Sequence, residues 1–139
     1  MRSNVNISSI ARTSSGCAIE RLVLTGNASL ISKIARDGIS NMEIATHRTL
    51  KPVLLRLRND GYRLVGLEQT TGSVSLHTYR FQRRTVLVVG NERTGLTTEI
   101  LQILDDVVEI PVYALPHSFN VATAASMSLY EYCRQFPHG

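Results

Sequence analysis

Several features are missing from this chain, and each absence excludes something. No stretch approaches the roughly 18–20 consecutive apolar residues of a membrane span, so no membrane partner is expected. The opening "MRSNVNISSI" has no apolar core of a secretory signal, and a cytoplasmic protein is expected by default. Cysteine occurs only twice, at Cys17 and Cys133. Neither has the spacing of a metal or redox motif, so reduced, partly buried thiols are expected. The four histidines, His47, His77, His117 and His138, show no ligand spacing either, and no metal is expected. There is no repeat, no low-complexity tract and no long linker. At 139 residues the chain reads as a single domain, 1–139, able to bury roughly 68% of its unfolded surface.

Lysine is scarce as well: two residues against thirteen arginines, in a chain of formal charge +4. Arginine makes planar, bidentate contacts to phosphate and stacks on bases, which is compatible with a nucleic-acid partner. Ordinary surface solvation produces the same bias. Arg80, Arg83 and Arg84 in "YRFQRRT" are the basic group placed to touch RNA phosphates, or else form a solvated loop.

What remains alternates short apolar runs with helical patterns. Asn6 is expected to cap a first helix running to about Gly16, and "RLVLTG" (Arg21 to Gly26) reads as a strand. A short helix is expected near Ser29 to Asp37. "TLKPVLLRLRNDGY" reads as a helix with Pro52 in its first turn and Gly61 near its end. "RLVGLEQ" reads as a strand, followed by a polar loop through Gly72 and Ser73. "TVLVVG" is a run of consecutive apolar residues of the kind covered on both faces of a parallel sheet. A short helix over Thr97 to Leu104, a strand "VVEIPV" and a closing helix from Asn120 to Gln135 complete the pattern. In that last helix Val121, Ala125, Leu129 and Tyr132 share one side. Alternating strand and helix predicts an α/β fold with a parallel sheet.

Three segments carry possible chemistry. In "GNERTG", Gly90 and Gly95 flank a turn that lacks the Lys-Ser or Lys-Thr of a phosphate loop and the glycine triplet of a dinucleotide fold. Glu92 disfavours a pyrophosphate; a ligand without phosphates, or with positive charge, would reverse that objection, and S-adenosylmethionine is one such ligand. The bland alternative is a plain strand-to-helix turn. In "EIPVYALPHSFNVATAAS", Pro111 and Pro116 hold a loop out of helix. Ser118 and Asn120 stand at the mouth of the closing helix, either as caps or as ligand contacts. In "NVNISSIARTSSG", Arg12 lies nearly two turns into a helix, where a solvated side chain is the ordinary reading.

Together, and in this order, these segments resemble the SpoU/TrmH branch of the SPOUT RNA methyltransferases. Asn6 to Thr13 match Asn-x5-Arg-Thr, Gly90 to Gly95 match Gly-Asn-Glu-x-x-Gly, and "IPVYALPHSFNVA" matches Ile-Pro…Ser-Leu-Asn-Val. Arg134-Gln135 match the family's closing Arg-Gln pair, and the likeness spans nearly the whole chain. The resemblance implies a Rossmann-like α/β fold with a C-terminal trefoil knot and bound S-adenosylmethionine. It also implies a homodimer and methyl transfer to a ribose 2′-hydroxyl of RNA, tRNA before rRNA. A non-catalytic RNA-binding module that keeps the fold is the alternative.

Carried over by position, Arg12 is the catalytic group, supported by Asn6 and Glu92, with Ser118 and Asn120 positioning cofactor or ribose. Val89, Gly90, Asn91, Ile110, Leu115, Ser118 and Phe119 would hold the cofactor. The chain departs from the family pattern in three places. Only "MRSNV" precedes Asn6 where an apolar strand is usual, so either the start is truncated or the sheet lacks a strand. Ala114 stands where glycine is common, and Phe119 where leucine is.

Overall fold

The structure, a computed structural model, describes residues 4–25, 42–91, 95–114 and 119–138. Helix α1 (Asn4–Gly16) begins two residues before the expected cap, so Asn6 lies inside its first turn and does not cap it. Its inward face is Ile7, Ser8, Ile10, Ala11 and Ser14, all buried, a spacing that follows the helical repeat. Strand β1 (Arg21–Thr25) pairs in parallel with β2 (Glu43–His47), Leu22 opposite Ile44. The sequence reading did not include β2, because "EIATH" is short and only weakly apolar. The helix expected near 29–37 lies outside the described residues.

Helix α2 (Lys51–Asn59) has Pro52 in its first turn, where the missing N–H costs nothing. It buries Val53 and Leu54, and Gly61 beyond its end takes a φ of +95°. Strand β3 (Arg63–Leu67) follows, then β4 (Val74–Ser75), β5 (Thr85–Val89), helix α3 (Thr98–Ile103), β6 (Asp106–Glu109) and helix α4 (Val121–Gln135). The four strands form one parallel sheet in the order β4-β6-β3-β5. The fold class is therefore the α/β parallel one that the alternation predicted.

Expectations about three strands are refined. "TVLVVG" was read as a strand covered on both faces, and β5 is packed on both, Val86 and Val88 on one and Leu87 and Val89 on the other; it stands at the edge of the described sheet, and of its five residues only Val88 is fully buried. The more deeply buried strand is β3, interior to the sheet, where Leu64 and Val65 are both 0% exposed. An apolar run reports hydrophobicity; it does not report position in the sheet. The second refinement is to "VVEIPV". Strand β6 ends at Glu109, because Pro111 has no N–H to continue the ladder. β4 was taken as loop; it is two residues of "GSVSL" that pair with Val108 and Glu109.

One face of the four-stranded sheet packs Leu64 and Val88 with Leu54 of α2 and Ile100 of α3. The other packs Val65 and Val108 with Leu76 and Phe81, with Tyr132 and Phe136 from the end of α4 against them. Each such aliphatic side chain removed from water contributes about 1.5–3 kcal/mol.

The amino ends of β3 and β6 are tied by polar contacts. Asp105 accepts from the Leu64 N–H at 2.7 Å, and Arg58 donates to Asp105 at 3.3 Å and to the Ile103 carbonyl. Arg63 grips Asp106 through two nitrogens, at 2.7 and 3.2 Å, and the Tyr79 hydroxyl donates to the same carboxylate at 2.6 Å. Near them the C-terminal end of α4 is clasped. Gln135 Oε1 accepts from the Phe81 N–H and Gln135 Nε2 donates to the Tyr79 carbonyl, both at 2.8 Å, while the Tyr132 hydroxyl donates to the Arg83 carbonyl.

Candidate active site

The three polar segments are far apart in sequence and meet at one apolar junction. Ile10 of the first segment packs with Ala122 and Ala125 of the third, and with Val89, the residue before Gly90. Leu67, at the carboxyl end of β3, and Leu22 complete the cluster. The junction therefore sits at the carboxyl ends of β3 and β5, the end of a parallel α/β sheet where ligands bind. Helix α1 is held on α4 by a hydroxyl pair, Thr13 Oγ1 to Ser126 Oγ, at 3.0 Å. Small residues Ala122 and Ala125 permit that approach. Arg12, next to Thr13, is exposed; Asn6 is half-buried on the same helix.

The glycines of the second segment have a local cause. Gly95 N–H donates to the Asn91 carbonyl at 2.8 Å and closes the turn. A Cβ on Gly90 would stand 2.4 Å from the Gly95 carbonyl carbon, so the two arms touch through backbone. Gly95 also takes φ +69°, which favours glycine. Both glycines are thus required by the turn itself. Thr97 then caps α3, its hydroxyl accepting from the Ile100 N–H at 3.2 Å.

Asn120 is the N-cap of α4, its Oδ1 accepting from the N–H groups of Ala122 (2.9 Å) and Thr123 (3.3 Å). Phe119 beside it is 38% exposed. Ile110 follows β6 and packs partly buried against the Val65–Val108 cluster. Tyr113 is exposed, and its hydroxyl meets Nε2 of His77. Glu92, Leu115 and Ser118 lie outside the described residues. An open groove of about 740 Å³ runs beside the junction, with Thr13, Ser126, Met127 and Tyr130 among the residues that line it.

The arginine group lies elsewhere. Arg80, Arg83 and Arg84 precede β5, at the opposite end of that strand from Gly90. Five residues at about 3.3 Å each put the two ends roughly 13–17 Å apart. Arg84 is already engaged: it donates to the Asp60 carbonyl at 2.8 Å and stacks over Tyr62, 4.5 Å from the ring centre. Arg80 and Arg83 are exposed.

Cys17 and Cys133 are both free thiols, and Cys133 Sγ lies 3.4 Å from the Cys17 carbonyl. Burial, and then the Cys133 thiol beside it, push the Cys17 thiol up to about 11. Among the described residues no group of three His, Cys, Asp or Glu is disposed to hold a metal. No described helix is long and apolar enough to cross a membrane.

One residue escaped the sequence reading. Glu68, directly after β3, accepts the Leu96 N–H at 2.8 Å. Only its position, a lone carboxylate at the end of an apolar strand, could have flagged it.

A parallel α/β domain with polar turns gathered at the strand carboxyl ends, glycine-bearing but without a phosphate loop, defines the class of small-ligand-binding α/β domains. Residues 1–130 match the model of the SpoU rRNA Methylase family, and the chain belongs to that family. It is 28% identical over 133 residues to the tRNA (guanosine(18)-2′-O)-methyltransferase of Escherichia coli K12, covering 94% of this chain and 58% of that protein. The chain thus spans little more than half the length of that relative. Among solved structures it superposes on the Aquifex aeolicus TrmH/SpoU tRNA modifying enzyme with a TM-score of 0.91 and 29% identity, covering 99% of this chain and 72% of that one. It also superposes on AviRb from Streptomyces viridochromogenes, a SpoU methyltransferase solved with its cofactor AdoMet. There the TM-score is 0.83 and the identity 26%, over 99% of this chain and 55% of that one.

Proposed function

We propose that this chain is the catalytic domain of an S-adenosylmethionine-dependent RNA methyltransferase acting on a ribose 2′-hydroxyl of tRNA. The observation that carries the reading is the junction of Ile10, Val89 and Ala122, which gathers all three family motifs at the carboxyl end of the sheet. The cofactor fits the donor set there. It carries no phosphate, and the residues proposed to hold it, Val89–Asn91, Ile110 and Phe119, offer backbone and apolar surface in place of a cationic cradle. Leu115 and Ser118 belong to the same proposed pocket.

When bound, the cofactor supplies a methyl group on a cationic sulfonium. The work of the chain is to bind, orient and manage one proton. Arg12 carries a guanidinium, which donates hydrogen bonds and accepts none. Its guanidinium therefore orients the ribose hydroxyl and stabilises the negative charge developing on the attacking oxygen, while an RNA phosphate takes the proton. Asn6 and Glu92 hold Arg12 in place. Asn120, already fixed as a cap, fixes the entrance to α4 beside Ser118. Alignment of this kind contributes up to roughly 7–11 kcal/mol.

We further infer that two copies pair, with the exposed Met127 and Tyr130 of α4 in the contact, and that the clasped end of α4 is threaded as a trefoil knot. Both belong to the family pattern. The clasp of Gln135 on residues 79–81 supports the second.

Incubation with labelled S-adenosylmethionine and unmodified tRNA, followed by mass spectrometry of the nucleosides, tests the activity. A 2′-O-methyl nucleoside is expected, and guanosine 18, named for the Escherichia coli relative, is the first position to inspect. A methyl on a base overturns the acceptor. RNA binding without any methyl transfer favours the non-catalytic module. Light scattering should give about twice the 15.4 kDa of one chain, and a monomer would refute the pairing.

A further inference from the structure

The turn from Gly90 to Leu96 is held from outside the three motifs. The backbone N–H of Glu68 donates to the Val108 carbonyl at 3.1 Å, fixing the residue to β6. Its side chain turns to the other neighbour and accepts from the Leu96 N–H at 2.8 Å. Hydrogen bonds to an ionised acceptor are roughly twice as strong as neutral ones.

The contact is also a close packing. A Cβ on Gly95 would stand 2.2 Å from Glu68 Oε2, so the carboxylate lies against the bare α-carbon of Gly95. Gly95 in turn lies against Gly90. Glu68, Gly95 and Gly90 therefore form one continuous stack from the central strand to the proposed cofactor edge. Its two glycine layers have no side chain that could yield.

We propose that Glu68 is a positioning residue for the cofactor, setting the height of the Gly90–Gly95 turn above the sheet. The inference rests on the methyltransferase reading, because it assigns a ligand to that turn. Glu68 touches neither substrate nor cofactor; it acts through Leu96 and Gly95. Removing the carboxylate leaves the Leu96 N–H without its acceptor and the turn free to shift.

The test is titration calorimetry of the full chain with S-adenosylhomocysteine, together with methyl-transfer kinetics. Glu68→Ala is expected to raise the Kd about tenfold and the cofactor KM in parallel, with kcat at saturating cofactor within about threefold of wild type. Glu68→Gln keeps an acceptor oxygen and should recover most of the affinity. Amide exchange at Leu96 should accelerate in Glu68→Ala while β3 and β6 keep their protection. Wild-type affinity in a folded Glu68→Ala overturns the proposal. So does a loss in Glu68→Ala that Glu68→Gln fails to rescue and that comes with general loss of protection, which would make Glu68 a fold residue. A folded wild type that binds no S-adenosylhomocysteine overturns the methyltransferase reading and this role together, whereas failure of Glu68 alone leaves wild-type binding intact.

Discussion

Arg12 is the residue on which the proposed chemistry turns, and its setting separates two effects. It is exposed on α1, one position beyond the buried Ala11. Arg12→Ala should lower single-turnover methyl transfer by about 10²-fold or more, the size of a lost proton-managing group. S-adenosylhomocysteine affinity and melting temperature should stay near wild type. Unchanged transfer would remove Arg12 from the mechanism. At this scale the sequence was informative about position and less so about cause. Gly90 and Gly95 were legible as a turn, but their reason is contact with each other and with Glu68, 22 and 27 residues upstream, which no local pattern encodes. Arg84 was grouped with Arg80 and Arg83 as a phosphate contact or a solvated loop; its local setting, stacked over Tyr62 and donating to the Asp60 carbonyl, was not legible.

Among the elements, α4 joins the site to the core, and Asn120 serves it at the first turn. Capping Asn to Ala typically costs about 0.5–2 kcal/mol, while Asp keeps the acceptor oxygen. Urea denaturation should therefore show Asn120→Ala destabilised by about 1 kcal/mol and Asn120→Asp close to wild type. If Asn120 also positions ligand, as proposed, both variants lose methyl transfer. Equal activity in the wild type and Asn120→Asp would leave the residue only its capping role. Helices were legible because their signals are local: Pro52 opening α2, Thr97 before α3, the small and apolar stripe of α4. The strands β2 and β4 were missed because "EIATH" is only weakly apolar and β4 is two residues long; their identity comes from the partner strand. The same dependence on partners sets the place of β5, whose apolar run was read as covered on both faces and which stands at an edge of the described sheet.

For the molecule as a whole, the Arg63–Asp106–Tyr79 group couples stability to pH. Arg63, and then Tyr79, hold the Asp106 carboxyl below the usual carboxylate range, against the opposing effect of burial. A depressed carboxylate stabilises the fold above its unfolded value, and that stability is lost as pH falls through the folded one. Burial, and then Asp106, push the Tyr79 hydroxyl up, so it stays protonated and donating at neutral pH. Urea midpoints measured from pH 6 to pH 2.5 should fall more steeply for the wild type than for Asp106→Asn, which has no charge to lose. Parallel curves would show that Asp106 is not the coupled group. Domain class and the order of the motifs were readable along the chain; the junction of Ile10, Val89 and Ala122 was not, since it exists only after three crossovers have brought the strand ends together.

The clasp at the end of α4 has a bearing on time. Gln135 reaches partners 54 and 56 positions back, and Tyr132 one 49 positions back. Every sheet pairing described is parallel and so also joins distant residues. Contacts of such range form slowly, because the chain loses loop entropy before any of them closes. Gln135 and Tyr132 find their partners in residues 79–83, a segment made well before them. Assembly therefore has a direction, and the clasp is a latch that shuts at its end.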